Sequence, residues 1–183
     1  MALTETPASE IGRPAPDFKL PGVDGRMWTL NDARGPNGVL VMFICNHCPY
    51  VKAVREKLIR DVHDFKVHGI GAIAISANDP TDFPEDSFEN MKRVAREYDY
   101  PFPYVYDETQ EVAKAYSAVC TPDFFGYNKD LKLQYRGRLD ASGKSAAPGA
   151  RRELFEAMKQ IAQTGQGPRA QTPSIGCSIK WKR

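Results

Sequence analysis

The sequence has no apolar run approaching the length of a bilayer span and no excess of charge of either sign. Against 25 Lys and Arg stand 23 Asp and Glu, for a net charge of +2. The first absence argues against a helical membrane protein. The second argues against a nucleic-acid binder, which would present a basic block. Only Lys180-Trp181-Lys182-Arg183 is dense in positive charge, and a few charges at a terminus are ordinarily solvated. Met1-Ala2-Leu3-Thr4-Glu5 lacks the basic and apolar regions of a secretory signal, so the expected compartment is the cytoplasm, where thiols stay reduced. Cysteine is scarce, with four residues at positions 45, 48, 120 and 177. In a reducing compartment such a set points to catalysis, redox chemistry or metal binding rather than to structural staples. The remainder is ordinary: 42% hydrophobic and 26% charged residues over 183 positions, without repeats or low-complexity tracts. That suffices for one domain with one large core.

Polarity in the first ten residues predicts a loose segment. Asp24-Gly25, between Phe18-Lys19-Leu20 and Met27-Trp28-Thr29-Leu30, predicts an N-terminal β-hairpin. The continuous apolar run Val39–Ile44 and the segment Gly69–Ser76 predict strands buried in the sheet. Between them Val51, Val54, Leu58, Val62 and Phe65 recur at helical spacing, with Lys52, Arg55, Lys57 and Arg60 expected to face water. Phe88, Met91, Val94, Ala95 and Tyr98 mark another helix, with Asp86 or Ser87 as its cap. Tyr104–Tyr106 reads as a strand and Glu111–Tyr116 as a short helix. Phe124–Tyr127 and Leu131–Tyr135 read as an antiparallel pair, and Leu154, Phe155, Met158, Ile161 and Ala162 as the buried stripe of a last helix. The order predicts an α/β protein: a mixed central sheet with helices on both faces. The domain is expected over 11–163. Residues 164–183 form a tail in which Ile175, Cys177, Ile179 and Trp181 alternate with polar or small residues, the pattern of an extended segment docked on an apolar surface.

The most informative residues are Ile44-Cys45-Asn46-His47-Cys48-Pro49. Two thiols separated by two residues, between a buried strand and a helix, can close a small disulfide ring. Unpaired amides and the dipole at a helix start favour a thiolate, and a protonated His47 would add a positive charge. Cys45 is therefore expected to be the acidic, solvent-facing nucleophile, and Cys48 the more buried resolving thiol. Pro49 fits a first turn, whose N–H groups have no helical partner. Two other readings compete. The cysteines could be small buried hydrophobes. Alternatively Cys45, His47 and Cys48, with Cys120 or Cys177, could hold zinc or copper, although no second compact ligand pair is present. Further along, Val119-Cys120-Thr121-Pro122-Asp123 precedes a strand. Pro122 is either a trans edge residue or a cis residue whose loop offers the Thr121 backbone to an extended substrate peptide.

Together these motifs resemble the redoxin branch of the thioredoxin-like superfamily, which includes the alkyl hydroperoxide reductase (AhpC/TSA) peroxiredoxins and the TlpA-like thiol-disulfide oxidoreductases. The resemblance covers roughly residues 11–163. Gly12-Arg13-Pro14-Ala15-Pro16-Asp17-Phe18 is similar to the usual redoxin opening, Cys45-Asn46-His47-Cys48 stands in the place of the redox motif, and Thr121-Pro122 matches the cis-proline loop. It implies a thioredoxin-like fold with the cysteine pair facing the cis-proline at one edge of the sheet, where Asn78 should also lie. It implies thiol-disulfide exchange with a thiol or disulfide substrate, expected to be a protein, with no cofactor, no metal, no nucleic acid and no membrane. In that scheme His47 tunes the pair while Thr121 and Pro122 shape the substrate surface. Departures weigh against peroxide reduction as more than a weak activity, because no Thr-x-x-Cys is present: Met42 stands three residues before Cys45, and Cys45 itself three before Cys48. Val39 stands where thioredoxins bury an acid six residues before the first cysteine, and neither Glu56 nor His63 is an evident replacement. Cys120 and Cys177 read either as a second redox pair that pins the tail near the site or as two unlinked buried thiols.

Overall fold

Over residues 2–183, which the computed structural model describes, the chain begins with β1 (Leu3–Glu5), β2 (Lys19–Pro21), β3 (Met27–Thr29), α1 (Leu30–Ala33) and β4 (Gly38–Phe43). It continues through α2 (Pro49–Phe65), β5 (Ile70–Ser76), α3 (Phe88–Glu97), β6 (Tyr104–Tyr106) and α4 (Glu111–Ala115). Then come β7 (Cys120–Thr121), β8 (Asp123–Asn128), β9 (Leu133–Arg136), α5 (Glu153–Thr164) and β10 (Ile175–Ser178). Among the described residues no helix is long and apolar enough to cross a membrane.

The central sheet follows from these two apolar segments. β4 pairs antiparallel with β8, from Gly38 opposite Asn128 to Phe43 opposite Asp123, and β8 pairs antiparallel with β9. β5 and β6 are parallel, and β5 lies beside β4, with the Ile44 amide donating to the Ile75 carbonyl at 3.0 Å. The β2–β3 hairpin extends the β6 edge through Gly22 opposite Val105. Every residue of β4 is buried because both faces are covered. Val39, Val41 and Phe43 pack with Leu30, Ala33, Ala113 and Tyr116 on one face, and Leu40, Met42 and Ile44 with Val51, Leu58, Leu154, Met158 and Ile161 on the other. This is strand alternation between two apolar layers, each large side chain contributing about 1.5–3 kcal/mol of burial.

Four local expectations are corrected. The first residues are not loose: β1 pairs antiparallel with β10, and the Thr6 amide donates to the Ser174 carbonyl at 3.1 Å. Arg55 does not face water. It is buried, its guanidinium donating to the Tyr100 hydroxyl at 3.1 Å and the Asn46 carbonyl at 3.4 Å while lying over Tyr98. Leu131 adopts a positive φ of 57° in the turn, so β9 begins only at Leu133. In the tail, Cys177 and Ile179 are buried but Ile175 and Trp181 are exposed. Half of the apolar alternation there faces solvent, because β10 is the middle strand of a small sheet ordered β1-β10-β7 rather than a strip lying flat on the core.

Candidate active site

β4 carries the chain to the edge of the sheet, and Cys45-Asn46-His47 turns from it into α2. The helix starts at Pro49, with Cys48 as its N-cap. Cys48, not Cys45, therefore occupies the position next to the helical amides. Facing the pair is the Thr121–Pro122 peptide bond, which is cis. The Cys45 sulfur lies 3.4 Å from the Thr121 hydroxyl, and the Cys48 thiol donates to the Thr121 carbonyl at 3.3 Å. A third thiol joins them. Cys177 of β10 lies opposite Thr121 in the antiparallel ladder, so its side chain projects to the same side, into the buried cluster that holds Cys45 and Cys48. Gly176 makes the close approach of this strand possible, since a Cβ there would run into the Thr121 carbonyl oxygen.

The structure thus gathers Cys45, Cys48, Thr121, Pro122 and Cys177, and leaves Cys120 out. Cys120 stands opposite Ser178 and one residue from Thr121, so it points to the other face of the small sheet, its thiol turned to the Pro122 carbonyl at 3.7 Å. The side chains of Cys120 and Cys177, one alternative for a second pair, leave the ladder on opposite faces. All four cysteines are free and buried. Nor is Thr121 an open edge for a substrate peptide: it is buried, and the chain's own β10 fills the ladder beside it.

Electrostatics reverse the expected acidity of the pair. Burial pushes the Cys45 thiol well above its usual range, helped by the hydrogen bond to Cys48 and the nearby Asp86 carboxylate, while the Thr121 hydroxyl works the other way. Cys48 is drawn down to about 5, first by the Cys45 thiol and against the effect of burial. The Cys177 thiol and the amides of Val51 and Cys177 add to this. Cys177 is pushed up to about 12, by burial and then by its interaction with Cys48. Of the three thiols, Cys48 at the helix start is thus the one held down, while Cys45 and Cys177 are pushed up.

Asp86 is the site residue that sequence reasoning misses, since its position suggests only a helix cap. Ser87 caps α3 instead, its hydroxyl accepting from the Asn90 amide. Asp86 is wholly buried and accepts from the amides of Asn46 (2.8 Å) and His47 (3.2 Å), from the Asn78 side chain (2.9 Å) and from the His47 ring nitrogen Nδ1. Burial alone would raise this acid, but those donors outweigh it and hold it below the usual carboxylate range. His47 stacks on Phe83 with ring centroids 4.7 Å apart, and its Nε2 is buried without a partner. The tail closes the same edge. Its Lys180 amide donates to Asn78 Oδ1 at 3.0 Å, and its Lys182 amide to Gln110 Oε1 at 2.9 Å. The available signal for Asp86 is one of three acids (Asp82, Glu85 and Asp86) just before a capped helix, which one sequence does not distinguish from a cap.

Cys45, His47 and Asp86 each offer one ligand atom, all within 4.8 Å of one another, the metal-capable cluster found among the described residues. It is not the set expected from sequence, because Asp86 takes the place of Cys48 and neither Cys120 nor Cys177 belongs to it. The fit is poor. A carboxylate has about four acceptor sites, and the four donors just named occupy them.

A dithiol at the end of a central strand, opposed by a cis-proline strand in a mixed sheet with helices on both faces, defines a thioredoxin-like thiol protein. The chain belongs to the AhpC/TSA family, whose model matches residues 11–136. It is 30% identical over 137 residues to the thiol-disulfide oxidoreductase ResA of Bacillus thuringiensis subsp. konkukian (strain 97-27), across 71% of this chain and 70% of that protein. Among solved structures, a conserved protein from Geobacillus kaustophilus aligns with 48% identity and a TM-score of 0.93, over 100% of this chain and 97% of that one. A protein from Sinorhizobium meliloti 1021 aligns with 37% identity and a TM-score of 0.91, over 98% of each chain. The thioredoxin domain of a Bacteroides vulgatus thiol-disulfide oxidoreductase shares the fold, with a TM-score of 0.63 at 20% identity, over 85% of this chain and 99% of that one. At the level of family the chain is thiol-disulfide-oxidoreductase-like.

Proposed function

We propose that the protein exchanges dithiol for disulfide through Cys45 and Cys48. The observation that carries this reading is the pair itself: two buried sulfurs on one threonine, facing a cis-proline. Cys48, drawn down by its neighbours, is the base that the pair itself supplies for Cys45. In the forward half-reaction Cys45 gives its proton to Cys48 and attacks one sulfur of a substrate disulfide. The S–S bond of the substrate breaks, its second sulfur leaves as a thiolate, and a Cys45–substrate disulfide forms. Cys48 then loses its proton to that leaving thiolate and attacks Cys45, releasing the other substrate sulfur as a thiolate, which takes a proton from solvent, and leaving the Cys45–Cys48 disulfide. His47 acts as a positioning residue here, joining the Asn46–His47 turn to Asp86.

Cys45, Cys48 and Cys177 are 1%, 0% and 2% exposed. A partner sulfur reaches them only when part of their cover moves, and a protein substrate pairing with Thr121 would have to take the place of β10. We place this chemistry in the cytoplasm, where the pair would rest as dithiol.

The test is equilibration in graded glutathione buffers, followed by acid trapping and mass mapping. Cys45 and Cys48 are expected to interconvert as one two-electron couple, and Cys48→Ser to accumulate a mixed disulfide on Cys45. Absence of a reversible Cys45–Cys48 disulfide would sink this reading, and stoichiometric metal lost with Cys45→Ser would replace it.

A further inference from the structure

We propose that Cys177 is a third redox thiol, which takes the disulfide from the catalytic pair by exchange with Cys48. This rests on the reading of Cys45 and Cys48 as the redox couple and extends it to the tail. Three observations converge. The β10 register sets Cys177 opposite Thr121, the residue that both catalytic sulfurs touch. Cys45, Cys48 and Cys177 lie in one buried cluster, with Cys48 at the start of α2, the helix that packs against β10. Gly176 and the buried Ser174, whose hydroxyl donates to the Pro122 carbonyl at 2.6 Å, hold the strand close enough for that approach. The fourth thiol, Cys120, is the internal contrast: equally buried, one residue away, and turned to the opposite face.

The step balances without an added reactant. In the oxidised pair, Cys177 gives up its proton and attacks the Cys48 sulfur. The Cys48–Cys177 bond forms, the Cys45–Cys48 bond breaks, and Cys45 leaves as a thiolate that takes up the proton. One disulfide and one thiol remain, and no electron leaves the protein. In this second oxidised form β10 is tied covalently to the start of α2. Cys45 is then a free thiol again, while the two oxidising equivalents are stored under the tail.

The experiment uses the full chain carrying Cys45→Ser, equilibrated in glutathione buffers from reducing to oxidising, acid-quenched, alkylated and peptide-mapped. A Cys48–Cys177 link in most molecules at the oxidising end, reversed at the reducing end, is the expected result. Cys48 found only as thiol or as a glutathione adduct, with Cys177 alkylated throughout, overturns the proposal. Protection of Cys120 from alkylation before denaturation reports that the variant is folded. Should it not fold, the same mapping is read on the unmodified chain, where both Cys45–Cys48 and Cys48–Cys177 links are expected. A reversible Cys45–Cys48 link alone overturns the role of Cys177 and leaves the catalytic pair standing. No reversible Cys45–Cys48 link at all overturns the catalytic pair instead.

Discussion

Two buried cysteine–aspartate neighbourhoods flank the cis-proline strand, and the same residue types do opposite things in them. At the end of β4, Asp86 lies beside Cys45 and is surrounded by donors that each keep a structural position: two turn amides, an asparagine and a histidine. It stays below the usual carboxylate range and biases a thiol that can react. On the other side Asp123 lies beside Cys120 and has one strong partner. The Arg136 guanidinium donates to it at 2.9 and 3.3 Å, and the Val119 amide adds a longer bond at 3.4 Å. Burial outweighs these donors and raises Asp123 to about 6, while burial pushes the Cys120 thiol far up. A carboxylate with several fixed donors can set the charge of a site. One with a single buried arginine holds strands together, and its cysteine neighbour stays inert.

The sharpest way to break this contrast is Asp123→Ala. It strands Arg136 in the interior, and breaking such a pair by removing one partner costs about 3–5 kcal/mol. Chemical unfolding should show a loss of that size; a change under about 1 kcal/mol would mean the pair is not structural. Next in size is the pH dependence of stability, where the two acids have opposite signs. The native protein binds more protons than the unfolded chain between the ordinary value of Asp123, 3.8, and its raised value of about 6. Stability from this group therefore falls as pH rises through that window, by on the order of 2–3 kcal/mol. The lowered Asp86 contributes stability that is complete above the ordinary carboxylate value and is lost as pH falls through its folded one. Asp123→Asn should remove the first slope and Asp86→Asn the second, in unfolding curves measured from pH 3 to pH 7; exchanged effects would refute the assignment. The smallest effect is on the thiol. In a Cys48→Ser background, Asp86→Asn should lower the Cys45 titration midpoint, followed by thiolate ultraviolet absorbance. Below the midpoint, thiolate should rise about tenfold for every pH unit by which the midpoint falls. An unchanged or higher midpoint would remove Asp86 from the redox site.

Much of the frame is legible in the chain because period and punctuation are local. Val39–Ile44 and Gly69–Ser76 read as buried strands, the Asp24-Gly25 turn marks the β2–β3 hairpin, and Cys45-x-x-Cys48 before Pro49 locates the redox turn. The acidity within that turn is not legible. The expected acidity of Cys45 requires a helix that begins there, whereas α2 begins at Pro49, so the helical amides serve Cys48. Helical periodicity alone assigns Arg55 to solvent, but the loop carrying Asn46 and the Tyr98–Tyr100 segment close over it.

The sequence by itself determined the main strands and helices of the domain, the mixed α/β architecture and the place of the Cys45–Cys48 pair between strand and helix, since each follows from neighbours in the chain. Only the tertiary structure decided that Asp86, 41 positions after Cys45, faces its thiol, that β10 fills the edge beside Thr121, and that Cys177 rather than Cys120 joins the pair. Those outcomes depend on strand register. A shift of one residue exchanges the two faces of a strand, and nothing within β10 or β7 alone specifies which register is taken.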